Sequence, residues 1–116
     1  MDLYEIWCDL RPGQSDVEFA DAVHAYLGRL RDDGGIVGYR LSRRKLGLGI
    51  AALGEFHVSI EVLDLAQLDR AFVAVSSRTD PIESFHHAVN SSVRNFQAAL
   101  YRDFPDPHRH RGEERF

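Results

Sequence analysis

The sequence predicts an α+β fold in which a four-stranded antiparallel sheet carries helices on one face, and three observations lead there. Two runs of alternating residues, 36–45 and 55–62, are joined by the glycine-rich segment Leu46 to Gly54 and read as a hairpin. A third alternating run opens the chain. Two capping signatures, Ser15-Asp16-Val17-Glu18 and Asp80-Pro81-Ile82-Glu83, each introduce apolar residues at helical spacing.

Taken in order, Leu3 to Leu10 is the first strand, with Tyr4, Ile6, Cys8 and Leu10 on one face and Glu5, Trp7 and Asp9 on the other. Arg11-Pro12-Gly13-Gln14 breaks it, because proline lacks an N–H and glycine favours turns. The first helix starts at the Ser15 cap. Its stripe is Phe19, Val23, Tyr26, Leu27 and Leu30, and Asp33-Gly34-Gly35 ends it. In the second run of the hairpin Phe56, Val58, Ile60 and Val62 face a core, while Glu55, His57, Ser59 and Glu61 face away. Asp64 then caps a second helix with Gln67 at its third position and Leu65, Leu68, Phe72 and Val75 as its stripe, ending at Ser76-Ser77-Arg78-Thr79. A third helix follows the Asp80 cap and Pro81, with Ile82, Phe85 and Val89 on its stripe. The segment 95–104 fits a strand, and Val89, Val93, Phe96 and Leu100 also continue a helical stripe; we read it as the fourth strand, which closes the sheet.

The order strand, helix, strand, strand, helix in two pieces, strand is the ferredoxin-like arrangement, with strands lying 4-1-3-2 across the sheet. One domain is expected over 1–104 and a disordered polar tail over 105–116, where two prolines and few apolar residues leave little surface to bury. At 116 residues with 44% hydrophobic content, one core forms without metals or cross-links.

That strand order brings the polar face of the sheet together, and the candidate site lies there. Glu5 and Trp7 neighbour His57, Ser59 and Glu61, with Arg40 on one side and Tyr101 on the other. An imidazole among carboxylates is a suitable general acid or base. His57 is therefore the candidate proton-transfer group, with Glu5 and Glu61 to orient it or share its proton. Arg40 and Ser59 would hold a substrate, and Trp7 and Tyr101 would wall it. The competing reading is a solvated face or a polar contact between subunits.

Other chemistry finds less support. A net charge of −4 argues against nucleic acid as a partner, and Arg40, Arg43, Arg44 and Lys45 form only a short basic cluster at the hairpin tip. No apolar run approaches the ~20 residues of a membrane span, no leader pattern opens the chain, and a single cysteine, Cys8, excludes an internal disulfide; a cytoplasmic location is expected. The six histidines show no paired metal-ligand spacing, so no metal is expected. His86 or His87 looking inward under the sheet would need a partner. Gly47, Gly49 and Gly54 sit between two strands rather than opening a helix, so they are no dinucleotide fingerprint, and no cofactor is expected. The apolar Leu48, Ile50, Ala51 and Leu53 of that loop suit a subunit contact or a pocket lid.

The whole layout resembles the dimeric α/β-barrel superfamily, and the strings MDLYEIW, YRLSRRKLGLG, GEFHVSIEVLDLAQLDRAF, HHAVNSSV and ALYRDFPD are similar to those of a family of short, uncharacterised bacterial proteins. The resemblance covers 1–106. It implies a ferredoxin-like homodimer whose subunits pack sheet to sheet, each with a pocket between sheet and helices or toward the partner. The superfamily's chemistry ranges from haem-degrading and quinol-forming monooxygenases to isomerases, so the resemblance assigns no catalytic residue here. Three readings remain open: a small enzyme using His57, a module that binds a small molecule, and a homodimeric interaction subunit.

Overall fold

The structure, a computed structural model, describes residues 1–77, 80 and 82–106. Arg78, Thr79, Pro81 and the tail from 107 onward lie outside the described residues, as do the side chains of Ile82, Glu83 and Phe85. The elements are β1 (Asp2–Leu10), α1 (Asp16–Asp32), β2 (Gly38–Arg43), β3 (Phe56–Val62), α2 (Leu65–Ser76), α3 (Ile82–Asn90) and β4 (Val93–Arg102). One antiparallel sheet is ordered β2-β3-β1-β4, the ferredoxin-like order.

Local chemistry sets the helix starts. Ser15 accepts a hydrogen bond from the Glu18 N–H at 3.2 Å, and Asp64 accepts one from the Gln67 N–H at 2.8 Å, each satisfying a donor that the first turn leaves unpaired. The core forms between α1 and the strand residues facing it. Phe19, Val23, Leu27 and Leu30 pack with Phe56, Val58, Ile60 and Val62. Truncating one of these, as in Leu27→Ala, costs about 2–5 kcal/mol.

One expectation about a stripe needs correcting. On α2 it is Gln67, Leu68 and Ala71 that are buried, while Leu65 and Phe72 stay about half exposed. Gln67 is pulled inward because its amide oxygen accepts from the Leu63 N–H at 2.7 Å and its amide nitrogen donates to the Gly34 carbonyl at 3.1 Å. On β4, the strand reading of 95–104 holds, with the strand beginning at Val93. Between the pairs Trp7↔Gln97 and Asp9↔Arg94 the fourth strand carries one extra residue. Asn95 takes the positive φ of 53° at this bulge, and its side-chain amide donates to Asp9 at 3.0 Å. Val93 and Phe96 thereby come to the same side of the sheet.

Two further contacts tie the ends of the sheet. A Cβ on Gly54 would strike the Cys8 backbone, so only glycine lets β3 begin against β1. The Arg102 guanidinium holds both oxygens of buried Asp2, at 2.8 and 3.3 Å, and donates to buried Asp106 at 3.1 Å.

Candidate functional site

The two faces of the sheet offer two distinct places for chemistry. On the face away from the helices, β1 and β3 pair Glu5 with Ser59 and Trp7 with His57. The register places their side chains in one cluster. His57 Nε2 lies 2.7 Å from one Glu5 oxygen, and the Ser59 hydroxyl donates to the other at 2.9 Å. The Trp7 indole stacks on the His57 ring at 5.0 Å between centroids and 9° between planes. A carboxylate only accepts hydrogen bonds, so in this contact Nε2 is the donor. Glu5 is almost wholly covered, with its side chain 12% exposed against 36% for His57.

The remaining residues expected in that site share the face without joining the cluster. Arg40 pairs across β2 with Ser59, and Glu61 and Tyr101 both lie opposite Leu3, one on each neighbouring strand. Arg40, Glu61 and Tyr101 are exposed. Next to Trp7 and His57, under the hairpin loop, is a hollow of about 230 Å³. Its rim is held by Arg44, which donates to the Ile50 and Leu53 carbonyls at 3.2 and 2.6 Å, while Arg43 bridges Asp16 and Glu55, each at 2.9 Å. Leu46, Leu48 and Ile50 project from this braced loop, 82, 77 and 68% exposed.

The second place lies on the helix side. A cavity of about 190 Å³ opens between the sheet and the three helices. Its wall is almost entirely apolar, with Tyr4, Tyr26, His86 and Asn90 as its polar members. The Tyr26 and His86 rings meet at 5.6 Å with a 59° tilt, which supplies the partner that an inward-looking histidine required. Tyr4 meets Phe72 edge to face at 5.5 Å. Phe72 and Phe96 line the cavity while 48 and 55% exposed, so its mouth lies between α2 and β4. Burial pushes the Tyr26 phenol up to about 12, with a smaller push from Tyr4, and raises Tyr4 as well. Both hydroxyls are neutral hydrogen-bonding groups at neutral pH. Cys8 also lines the cavity, but burial, helped by Asp9, lifts its thiol to about 11, which removes it as a nucleophile.

Sequence reasoning missed Tyr26 and His86 as a pair. Tyr26 reads as one more member of the α1 stripe, and only the packing of α1 against α3 brings His86 to it. A hydroxyl-bearing side chain on an otherwise apolar stripe was the available signal. His24, outside the stripe, is exposed and bonds the Tyr39 hydroxyl of β2 at 2.8 Å. Among the described residues no group of three or more His, Cys, Asp or Glu side chains is arranged to hold a metal, and no helix is long and apolar enough to cross a membrane.

The family described as "Family of unknown function (DUF6614)" matches residues 1–116. The chain belongs to that family. No curated protein matches it. Among solved structures, SnoaB, a cofactor-independent oxygenase from Streptomyces nogalater, is similar with a TM-score of 0.68 at 10% identity, over 93% of this chain and 97% of that one. The Arabidopsis thaliana protein At3g17210 is similar with a TM-score of 0.70 at 9% identity, over 91 and 98%. A dimeric ferredoxin-like protein of unknown function from Jannaschia sp. CCS1 is similar with a TM-score of 0.65 at 13% identity, over 89 and 100%. At these identities the likeness establishes the fold, so this member of the DUF6614 family is a ferredoxin-like α+β protein.

Proposed function

We propose that this protein is a homodimer that binds a small organic molecule in the cavity between sheet and helices, with the open sheet face turned toward its partner subunit. The observation that carries this reading is the helix-side cavity: an apolar space of about 190 Å³ with a few polar groups on its wall, and a mouth flanked by two aromatic rings. Such a site is how small-molecule pockets are built, mostly apolar for affinity with a few placed polar groups for orientation. For comparison, an engineered apolar cavity of roughly 150 Å³ already takes up benzene. The similarity to a cofactor-independent oxygenase supports an enzyme that works on such a ligand. The dimer is supported by the similar Jannaschia protein, which is dimeric, and by Trp7 and the hydrogen-bonded Glu5, His57 and Ser59 cluster on a face that none of the described helices covers. A single domain over 1–104 in the reducing cytoplasm, where buried Cys8 stays a thiol, fits the same reading.

The test is native mass spectrometry of the purified protein, before and after denaturation. The expected result is a dimer that retains a small molecule, released on denaturation and lost in Ala71→Phe, which fills the cavity. A dimer that never carries or takes up any small molecule would overturn the pocket.

A second reading is favoured by one specific observation, the 2.7 Å contact of His57 with Glu5 beneath the stacked Trp7. In it His57 is the proton-transfer group, Glu5 and Glu61 its carboxylates, and Arg40, Ser59 and Tyr101 hold the substrate with Trp7. On that reading His57→Ala abolishes turnover with the melting temperature nearly unchanged. On ours it leaves ligand uptake intact.

A further inference from the structure

The chemistry of the cavity wall narrows the class of ligand. No lysine, arginine, aspartate or glutamate is among the described residues that line it. An anion entering there would lose its hydration without meeting a fixed cationic side chain among the described residues, and burying a charge without a partner is costly. Aromatic rings, in contrast, line both mouth and interior, with Phe19, Tyr4, Tyr26, Phe72 and Phe96 all on the wall. Their observed contacts with neighbours are edge-on or tilted, the arrangement in which a further ring packs well. Among the described residues, the Tyr4 and Tyr26 hydroxyls make no hydrogen bond to another side chain or to the backbone. They and His86 therefore offer donors and acceptors to whatever enters.

Resting on the reading that this cavity is the ligand site, we propose that it takes a neutral aromatic molecule of one or two rings bearing a hydroxyl or carbonyl oxygen, and that it rejects carboxylates of the same size. The ring system fills the apolar part between α2 and β4. The oxygen meets Tyr26 and His86.

Three probes of one shape test this by isothermal titration at pH 7: 1-naphthol, 1-methylnaphthalene and 1-naphthoate. The expected order is 1-naphthol tightest, 1-methylnaphthalene about fivefold weaker for want of one net hydrogen bond, and 1-naphthoate at least about tenfold weaker than 1-naphthol. In Tyr26→Phe the advantage of 1-naphthol over 1-methylnaphthalene shrinks while 1-naphthoate stays weak. If 1-naphthoate binds as tightly as 1-naphthol, the neutral class is overturned and the cavity stands. If 1-methylnaphthalene equals 1-naphthol, the polar contact is overturned. Should no probe bind, or should binding survive both Ala71→Phe and Val75→Phe in folded protein, the cavity itself is not the ligand site. Val75 is only partly buried, so the second variant retains the fold if the first does not.

Discussion

The two faces of one sheet have taken opposite solutions to the same problem of covering a flat surface. On the helix side, Phe56, Val58, Ile60 and Val62 are buried against α1, but toward β4 the cover is incomplete and a cavity remains. On the open side, the residues one position along in sequence, His57 and Ser59, satisfy each other's polar groups through Glu5 and leave a closed cluster. The apolar face encloses unfilled space with few polar groups; the polar face has both Glu5 oxygens engaged by His57 and Ser59, and its hollow beside Trp7 and His57 is walled largely by charged and polar side chains and the hairpin loop. Ligand binding needs the first combination, and self-association of a sheet face tolerates the second.

Breaking the comparison starts with the largest effect. Val58→Asp places an unpaired carboxylate where the side chain is buried, and is expected to cost more than about 4 kcal/mol and prevent folding, as seen by loss of the circular dichroism spectrum. The adjacent Ser59→Ala removes a single hydrogen bond to Glu5 and is expected to cost only about 0.5–1.5 kcal/mol in urea unfolding. Between these lies Glu5→Ala, which leaves both His57 and Ser59 without their acceptor on a half-covered face; about 1–3 kcal/mol is expected. Trp7→Glu adds a charge to the proposed interface. It is expected to move the sedimentation profile from dimer to monomer while uptake into the helix-side cavity persists.

The smallest effect concerns alkaline pH. Tyr26 has its folded value raised to about 12 from the ordinary 10.0, so the native state holds a proton that the unfolded chain releases first. Its contribution is fully present below pH 10 and is lost as pH rises toward 12. Tyr26→Phe should therefore make the fall in melting temperature over that window shallower than in the parent protein. An unchanged slope would mean that the phenol is not held in an apolar site.

How much of this was legible in the sequence depends on whether a feature is local. The caps at Ser15 and Asp64 and the alternation of β1 and β3 are local, and the structure keeps them. The cluster of Glu5, Trp7, His57 and Ser59 was legible too, because alternation sets the face and strand order sets the neighbours. Helix and strand were hard to separate around β4 for a physical reason. The extra residue at Asn95 puts Val93 and Phe96 on one side three positions apart, which imitates a helical stripe. The stripe of α2 misled because a buried hydrogen-bonded Gln67 outranks Leu65, and hydropathy does not show hydrogen bonds. The cavity was invisible for a different reason: it is a gap between elements, set by how α2 and α3 sit over β4, and no periodicity describes a gap.

The most direct measurement is a proton NMR titration of the protein with 1-naphthol, following the Trp7 indole N–H and the tyrosine ring signals together. The sheet separates them, with Trp7 on the open face and Tyr4 and Tyr26 in the cavity wall. The account predicts saturable shifts at Tyr4 and Tyr26 with the Trp7 signal unmoved. Shifts concentrated at Trp7, with the two tyrosines silent, would contradict it and return the ligand to the face that carries His57.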